Sequence, residues 1–151
     1  MLTELSVAVV IVFSCLLFHV AGVLSLAEWL LRRRNHFGRN GTRMGYGVLM
    51  ISLFFVILML HVAEASLWAG FYYTRGLFSD FETSVYFSLG SYTTIGYGDV
   101  VLPQNWRLLG AIEGISGVLL CGVSTAFIFA VMNAMLQIRL SQSGRSATRF
   151  L

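Results

Sequence analysis

Lysine is absent from the 151 residues: all ten basic side chains are arginines, and with seven acidic residues they leave a formal net charge of +3. Charged residues make up only 11% of the chain, which excludes a surface solvated by water on all sides. Eight of the ten arginines fall in two short segments, which excludes a nucleic-acid-binding face, whose cations would be spread along a phosphate track. Cysteine occurs twice, at Cys15 and Cys121, each inside a long apolar run. That placement supports neither a disulfide framework nor a cysteine metal site, and both are expected to be small buried packing residues. The start Met1-Leu2-Thr3-Glu4 has no basic residue, and the apolar run behind it is too long for a signal-peptide core. No polar constellation sets a nucleophile beside a base, so enzymatic activity and a resident cofactor have no support.

What is abundant is apolar surface, 57% of residues, at a length suited to one domain. A first span is expected over Leu5 to Leu31, 27 residues of which 16 are Leu, Ile, Val or Phe. Each of those favours insertion by roughly 0.3 to 0.6 kcal/mol near a helix centre, enough to outweigh His19 and Glu28. A second span is expected from Tyr46 to Tyr73 and a third from Trp106 to Leu140. The divisions follow: 1–31 an N-terminal membrane helix, 32–45 an Arg-rich linker, 46–140 the main membrane domain, 141–151 a short tail.

Thr74 to Asn105 is too short for a soluble domain and too polar for a fourth span. Ser79-Asp80-Phe81-Glu82 reads as a capping box, with Ser79 meeting the Glu82 amide and Glu82 reaching back, so a helix is expected from Asp80 to about Ser91. Gly96, Gly98 and Pro103 stop regular helix, and the chain must return in an irregular path. Such backbone survives at membrane depth only where protein buries it or water lines it. Arg32, Arg33, Arg34, Arg39 and Arg43 in the linker, with Arg139, Arg145 and Arg149 in the tail, outnumber Arg75 and Arg107 on the other side. The positive-inside rule places linker and tail in the cytoplasm, and the N-terminus and the re-entrant mouth outside.

The re-entrant stretch ends in Thr94-Ile95-Gly96-Tyr97-Gly98-Asp99. A dehydrated cation needs replacement oxygens on every side, and a chain aiming successive carbonyls at one axis alternates right- and left-handed backbone. Gly96 and Gly98 take positive φ without a Cβ clash. Ile95 and Tyr97 would then project outward to pack on the short helix, while the Thr94 hydroxyl adds an inner oxygen. One loop supplies a quarter of such a cage, so a homotetramer is inferred.

These six contiguous residues, set between two spans, resemble the filter of the potassium channel family. The resemblance covers about residues 46–133 and leaves the first span unmatched. It implies an all-α membrane protein: three transmembrane helices, a re-entrant pore helix, a selectivity filter and a tetrameric pore passing potassium ions passively. Potassium would be held at Thr94, Ile95, Gly96 and Tyr97, with Gly98 completing the filter. Asp99 would stand at the outer mouth. Tyr86, eight residues before Thr94, takes the place where many relatives carry a Trp bonded to this Asp. Gly90 replaces the acidic partner that other relatives use. The run Gly114 to Leu119 looks like the family's inner helix, with Gly117 its hinge candidate, although a Gly-x-x-Gly spacing also serves close packing. If Gly117 is the hinge, Cys121, Thr125, Phe129 and Asn133 follow down the cavity stripe. Three spans put the termini on opposite sides, which is unusual for this family.

His61 and Glu64, spaced i, i+3, and Glu113 lie within spans, where ionisable groups are functional by default. The alternative is that the two glutamates satisfy buried donors behind the pore helix. A zinc site would want more ligands than the sequence places nearby. Arg32-Arg33-Arg34 either meets anionic lipid headgroups or only sets topology. The first span lacks the periodic basic residues of a voltage sensor, and eleven residues after Leu140 leave no room for a ligand-binding tail domain. A non-selective cation channel, a repeated-loop potassium transporter and a non-conducting interaction subunit remain as other readings. The first would alter the filter and the second would carry four loops. The small size points to a prokaryotic membrane. The first span is expected outside the tetramer, against the second.

Overall fold

The computed structural model describes residues 2–40 and 43–147, with side chains over 4–33 and 44–141. Four helices and one short turn make up the described fold, and no strand occurs among these residues. They are α1 (Leu2–Asn40), α2 (Arg43–Thr74), α3 (Phe81–Tyr92), a 3-10 turn at Gln104–Trp106, and α4 (Arg107–Ala147). Three helical stretches, Glu4–Arg33, Met44–Thr74 and Gln104–Ser141, are long and apolar enough to cross a bilayer. Helix is the form such segments must take, because lipid offers no partner for an open amide or carbonyl. Serines inside the spans obey the same rule: Ser14, Ser25, Ser52 and Ser66 donate to the carbonyl four residues back at 2.7–2.9 Å.

Two boundaries differ from the sequence reading. The linker expected over 32–45 is helical through Asn40, and α2 opens at Arg43, so only two residues separate the helices. Gly38 costs the helix interior only about 1 kcal/mol, which neighbouring helical residues outweigh. The tail expected over 141–151 likewise begins as helix, with α4 continuing to Ala147. At its far end α2 closes in a Schellman turn: Gly76 takes φ 66°, its amide bonds the Tyr73 carbonyl at 2.9 Å, and Leu77 bonds Tyr72 at 3.0 Å.

α3 is capped by Asp80, not Ser79. Asp80 accepts from the Thr83 amide at 2.7 Å and the Thr83 hydroxyl at 2.8 Å, while Ser79 donates to Asp80 at 2.8 Å. A carboxylate is a stronger acceptor than a hydroxyl for the first amides, so the cap moves one residue on. The Thr83 amide holds the Asp80 carboxyl below its ordinary value.

α3 rests in a cradle formed by α2 and α4. Trp68, Tyr72, Leu102 and Leu109 are buried around it, and Phe87 of α3 meets Tyr72 edge-on at 5.4 Å and Phe78 at 5.1 Å. The buried seam of α4 runs Leu109, Glu113, Ser116, Gly117, Leu120 and Ser124, the three- and four-residue spacing of one helix face. Cys121 falls off this seam and is exposed, whereas Cys15 is buried. The expectation of burial thus fails for Cys121, because a residue next to the seam is turned about 100° away from it. α1 touches α4 as well as α2: Gly22 faces Leu60, and His19 reaches Ser124 at 3.0 Å.

Candidate functional site

α3 ends in carbonyls that hold the following chain. The Leu89 carbonyl accepts from the Thr93 amide at 3.1 Å, Ser91 from Thr94 at 3.0 Å, and Gly90 from Gly96 at 3.0 Å. The Thr93 hydroxyl adds a bond to Leu89 at 2.6 Å. From this anchor the backbone turns left-handed at every second residue: Thr94 at φ 61°, Gly96 at 53° and Gly98 at 80°. Sequence reasoning expected the two glycines. It missed Thr94, a β-branched residue for which positive φ is strained and rare. The Thr94 hydroxyl donates to the Thr93 carbonyl at 2.6 Å.

Tyr86 and Asp99 meet beside this segment, the Tyr86 hydroxyl donating to the Asp99 carboxylate at 2.8 Å. That bond holds the Asp99 carboxyl below its ordinary value. The Tyr97 ring stacks on Tyr86, centroids 6.1 Å apart and planes within 10°. Ile95 and Tyr97 remain 57% and 69% exposed on the single chain.

α4 approaches α3 at its glycines. A Cβ on Gly117 would lie 2.2 Å from the Tyr92 carbonyl oxygen, and one on Gly114 would lie 3.0 Å from that of Ser91. Gly117 therefore meets a packing demand inside an unbroken helix. Beyond it Cys121, Thr125, Phe129 and Asn133 are all exposed.

Two buried polar clusters lie behind the 94–99 segment. In one, Glu113 accepts from Tyr72 at 2.8 Å and meets Ser88, whose hydroxyl also donates to the Ala65 carbonyl at 2.6 Å. Ser88 has one proton and two acceptors. A protonated Glu113, donating to Ser88 while Ser88 donates to Ala65, satisfies both. In the other, Glu64 accepts from Tyr92 and faces His19 at 2.8 Å and His61 at 3.3 Å. His61 and Glu64 were singled out in the sequence, and His19 was noted only as an interruption of its span. His19, His61 and Glu64 hold potential ligand atoms within 4.8 Å of one another, so the third group that seemed to be missing comes from α1. No local spacing reveals it, since His19 and Glu64 lie 45 residues apart.

A family model described as ion channel matches residues 48–134, more than half of the chain, and includes α3, the 94–99 segment and most of α4. No curated protein and no solved structure matches it.

Proposed function

The chain belongs to the ion channel family, and on that premise we propose that four copies close a potassium-selective pore, each lending Thr94, Ile95, Gly96, Tyr97 and Gly98 to one filter. As a family member it is a channel subunit and a multi-pass membrane protein. The observation that carries the potassium reading is the alternation of left-handed backbone at Thr94, Gly96 and Gly98. Alternation turns successive carbonyls toward one side, which a naked cation requires in place of its hydration shell. Potassium is the permeant substrate, held at Thr94, Ile95, Gly96 and Tyr97, with no resident cofactor.

The homotetramer is supported by what one chain leaves open. The filter segment is exposed, and an open groove of about 480 Å³ beside it is lined by Ser91, Thr94, Gly114, Ile115, Val118 and Leu119. Asp99, bonded to Tyr86, stands at the outer mouth. Cys121, Thr125, Phe129 and Asn133 line the cavity, and Gly117 seats α4 against the Tyr92 carbonyl, the close-packing alternative to a hinge. Linker and tail lie on the cytoplasmic side, with the N-terminus outside, in a prokaryotic membrane.

The test is reversal potential in mixed potassium and sodium solutions, on purified protein in liposomes or planar bilayers. Strong preference for potassium is expected, and equal permeability sinks the reading.

A further inference from the structure

His19 lies outside residues 48–134, on the helix that the family match does not include. We infer that His19 is a positioning residue for the filter, closing a ring of five hydrogen bonds that fixes Tyr92 and is complete only when it holds one exchangeable proton. The inference takes the conducting reading as its basis.

The ring can be followed atom by atom. Glu64 Oε1 meets His19 Nδ1 at 2.8 Å, and His19 Nε2 meets the Ser124 hydroxyl at 3.0 Å. Ser124 meets His61 Nε2 at 3.0 Å, and His61 Nδ1 meets the Tyr92 hydroxyl at 2.8 Å. Tyr92 donates to Glu64 Oε2 and closes the circuit. All four helices contribute. Four of the five residues are buried, and His61 alone retains some exposure, 15% of its side chain, which makes it the point of proton exchange.

Counting hydrogens decides what the ring contains. Each link needs one. Tyr92 and Ser124 supply one apiece, and two neutral imidazoles one apiece, which leaves a carboxylate ring one hydrogen short. Some link must then set two acceptors face to face. A fifth proton repairs it in either of two forms, as an acid on Glu64 or as an imidazolium opposite the Glu64 carboxylate. Both forms carry no net charge, which suits a site inside a bilayer, where an unpaired ion is costly. The nearby thiols, Cys15 from α1 and Cys121 from α4, are not members of the ring. A divalent ion would accept the same three-residue spacing, but every nitrogen and oxygen concerned already has a hydrogen-bond partner, so a proton is what the geometry lacks.

The consequence reaches the filter through Tyr92. This residue ends α3 two positions before Thr94, and its two ends are held separately: the hydroxyl by His61 and Glu64, the carbonyl against Gly117. Loss of the proton opens one link of the ring, loosens the hold on the Tyr92 hydroxyl and frees the root of the filter to shift. The proton is lost as pH rises, so potassium flux falls with rising pH.

Glu64→Gln separates this role from plain packing. Its amide donates to His19 and its carbonyl accepts from Tyr92, so the ring closes with neutral imidazoles and has no fifth proton to lose. Potassium flux into liposomes is measured from pH 5 to 9 for the wild-type chain, Glu64→Gln, His19→Ala and His19→Gln. The wild type should lose flux about ten- to a hundredfold across one protonation step, the size expected from one hydrogen bond to a charged group. Glu64→Gln should conduct without that step. His19→Ala should lose flux at every pH, and His19→Gln, which still donates and accepts, should recover it. Nitrogen-15 spectra of the histidines should change charge or tautomer on the same step in the wild type and not in Glu64→Gln, and this readout needs no conduction. Wild-type flux at low pH tests the conducting reading separately. A wild-type channel indifferent to pH, a Glu64→Gln channel with the wild-type step, or stoichiometric zinc in the purified protein overturns the inference.

Discussion

Gly117 brings α4 so close to the last turn of α3 that a Cβ there would stand 2.2 Å from the Tyr92 carbonyl oxygen. The clash is with backbone, so no rotamer change relieves it. Gly117→Ala should destabilise the fold by at least the ~1–3 kcal/mol of an overpacked core. Gly70→Ala, with nothing within 4 Å of its added carbon, should be neutral or slightly stabilising. Thermal unfolding in detergent, followed by circular dichroism, compares the two. Equal midpoints would contradict the packing role.

Tyr86→Phe keeps the ring that stacks on Tyr97 and removes the donor to Asp99. The Asp99 carboxyl, held below its ordinary value by that donor, should then titrate at higher pH than in the wild type. A depressed folded value means that the bond contributes above the unfolded pKa and is lost as pH falls through the folded one. The Tyr86–Asp99 contact should therefore persist at neutral pH and fail only in acid below the ordinary carboxylate range. A carbon-13 titration of Asp99 in both proteins checks this, and identical midpoints would refute it.

Glu113→Gln should be nearly silent, because the amide donates to Ser88 while its oxygen accepts from Tyr72, as the neutral acid does. Glu113→Ala leaves the buried Tyr72 hydroxyl without its acceptor, while Ser88 keeps Ala65, and should cost about 1–3 kcal/mol. Chemical denaturation in mixed micelles separates the outcomes. A Gln variant as damaged as the Ala variant would mean that Glu113 carries a charge.

Asp80→Asn retains an acceptor for the Thr83 amide, and Asp80→Ala does not. Hydrogen exchange at Thr83 should quicken in the Ala variant and stay near wild type in the Asn variant. Equal exchange in all three proteins would return the cap to Ser79.

Legibility in the sequence followed the range of the interactions. The three spans were visible because insertion in lipid depends on local composition. The Tyr86–Asp99 pair was legible only through the resemblance, which sets Tyr86 where relatives carry the Trp that bonds this Asp. The cap was misplaced by one residue, since Ser79 and Asp80 both suit the position and only geometry chooses between them. Thr94 gave no sign of its positive φ, which β-branched residues adopt only when surrounding structure forces it. His19 was the larger omission. Its partners lie on two other helices, and a single histidine in an apolar run carries no periodic signal.

The hairpin of α1 and α2 acts as a ruler. His19 lies 21 residues before the end of α1 at Asn40, and Glu64 lies 21 residues after the start of α2 at Arg43. At 1.5 Å per residue both arms measure about 32 Å, so imidazole and carboxylate arrive at the same depth from one bend. Gly22 and Leu60, three and four residues nearer that bend, meet on the same scale. Arm length, more than the identity of the arginines along it, brings the first helix into register with the pore. Substitutions between 32 and 40 should leave the match intact. One residue inserted in a single arm would turn its polar group by about 100° and set it against lipid.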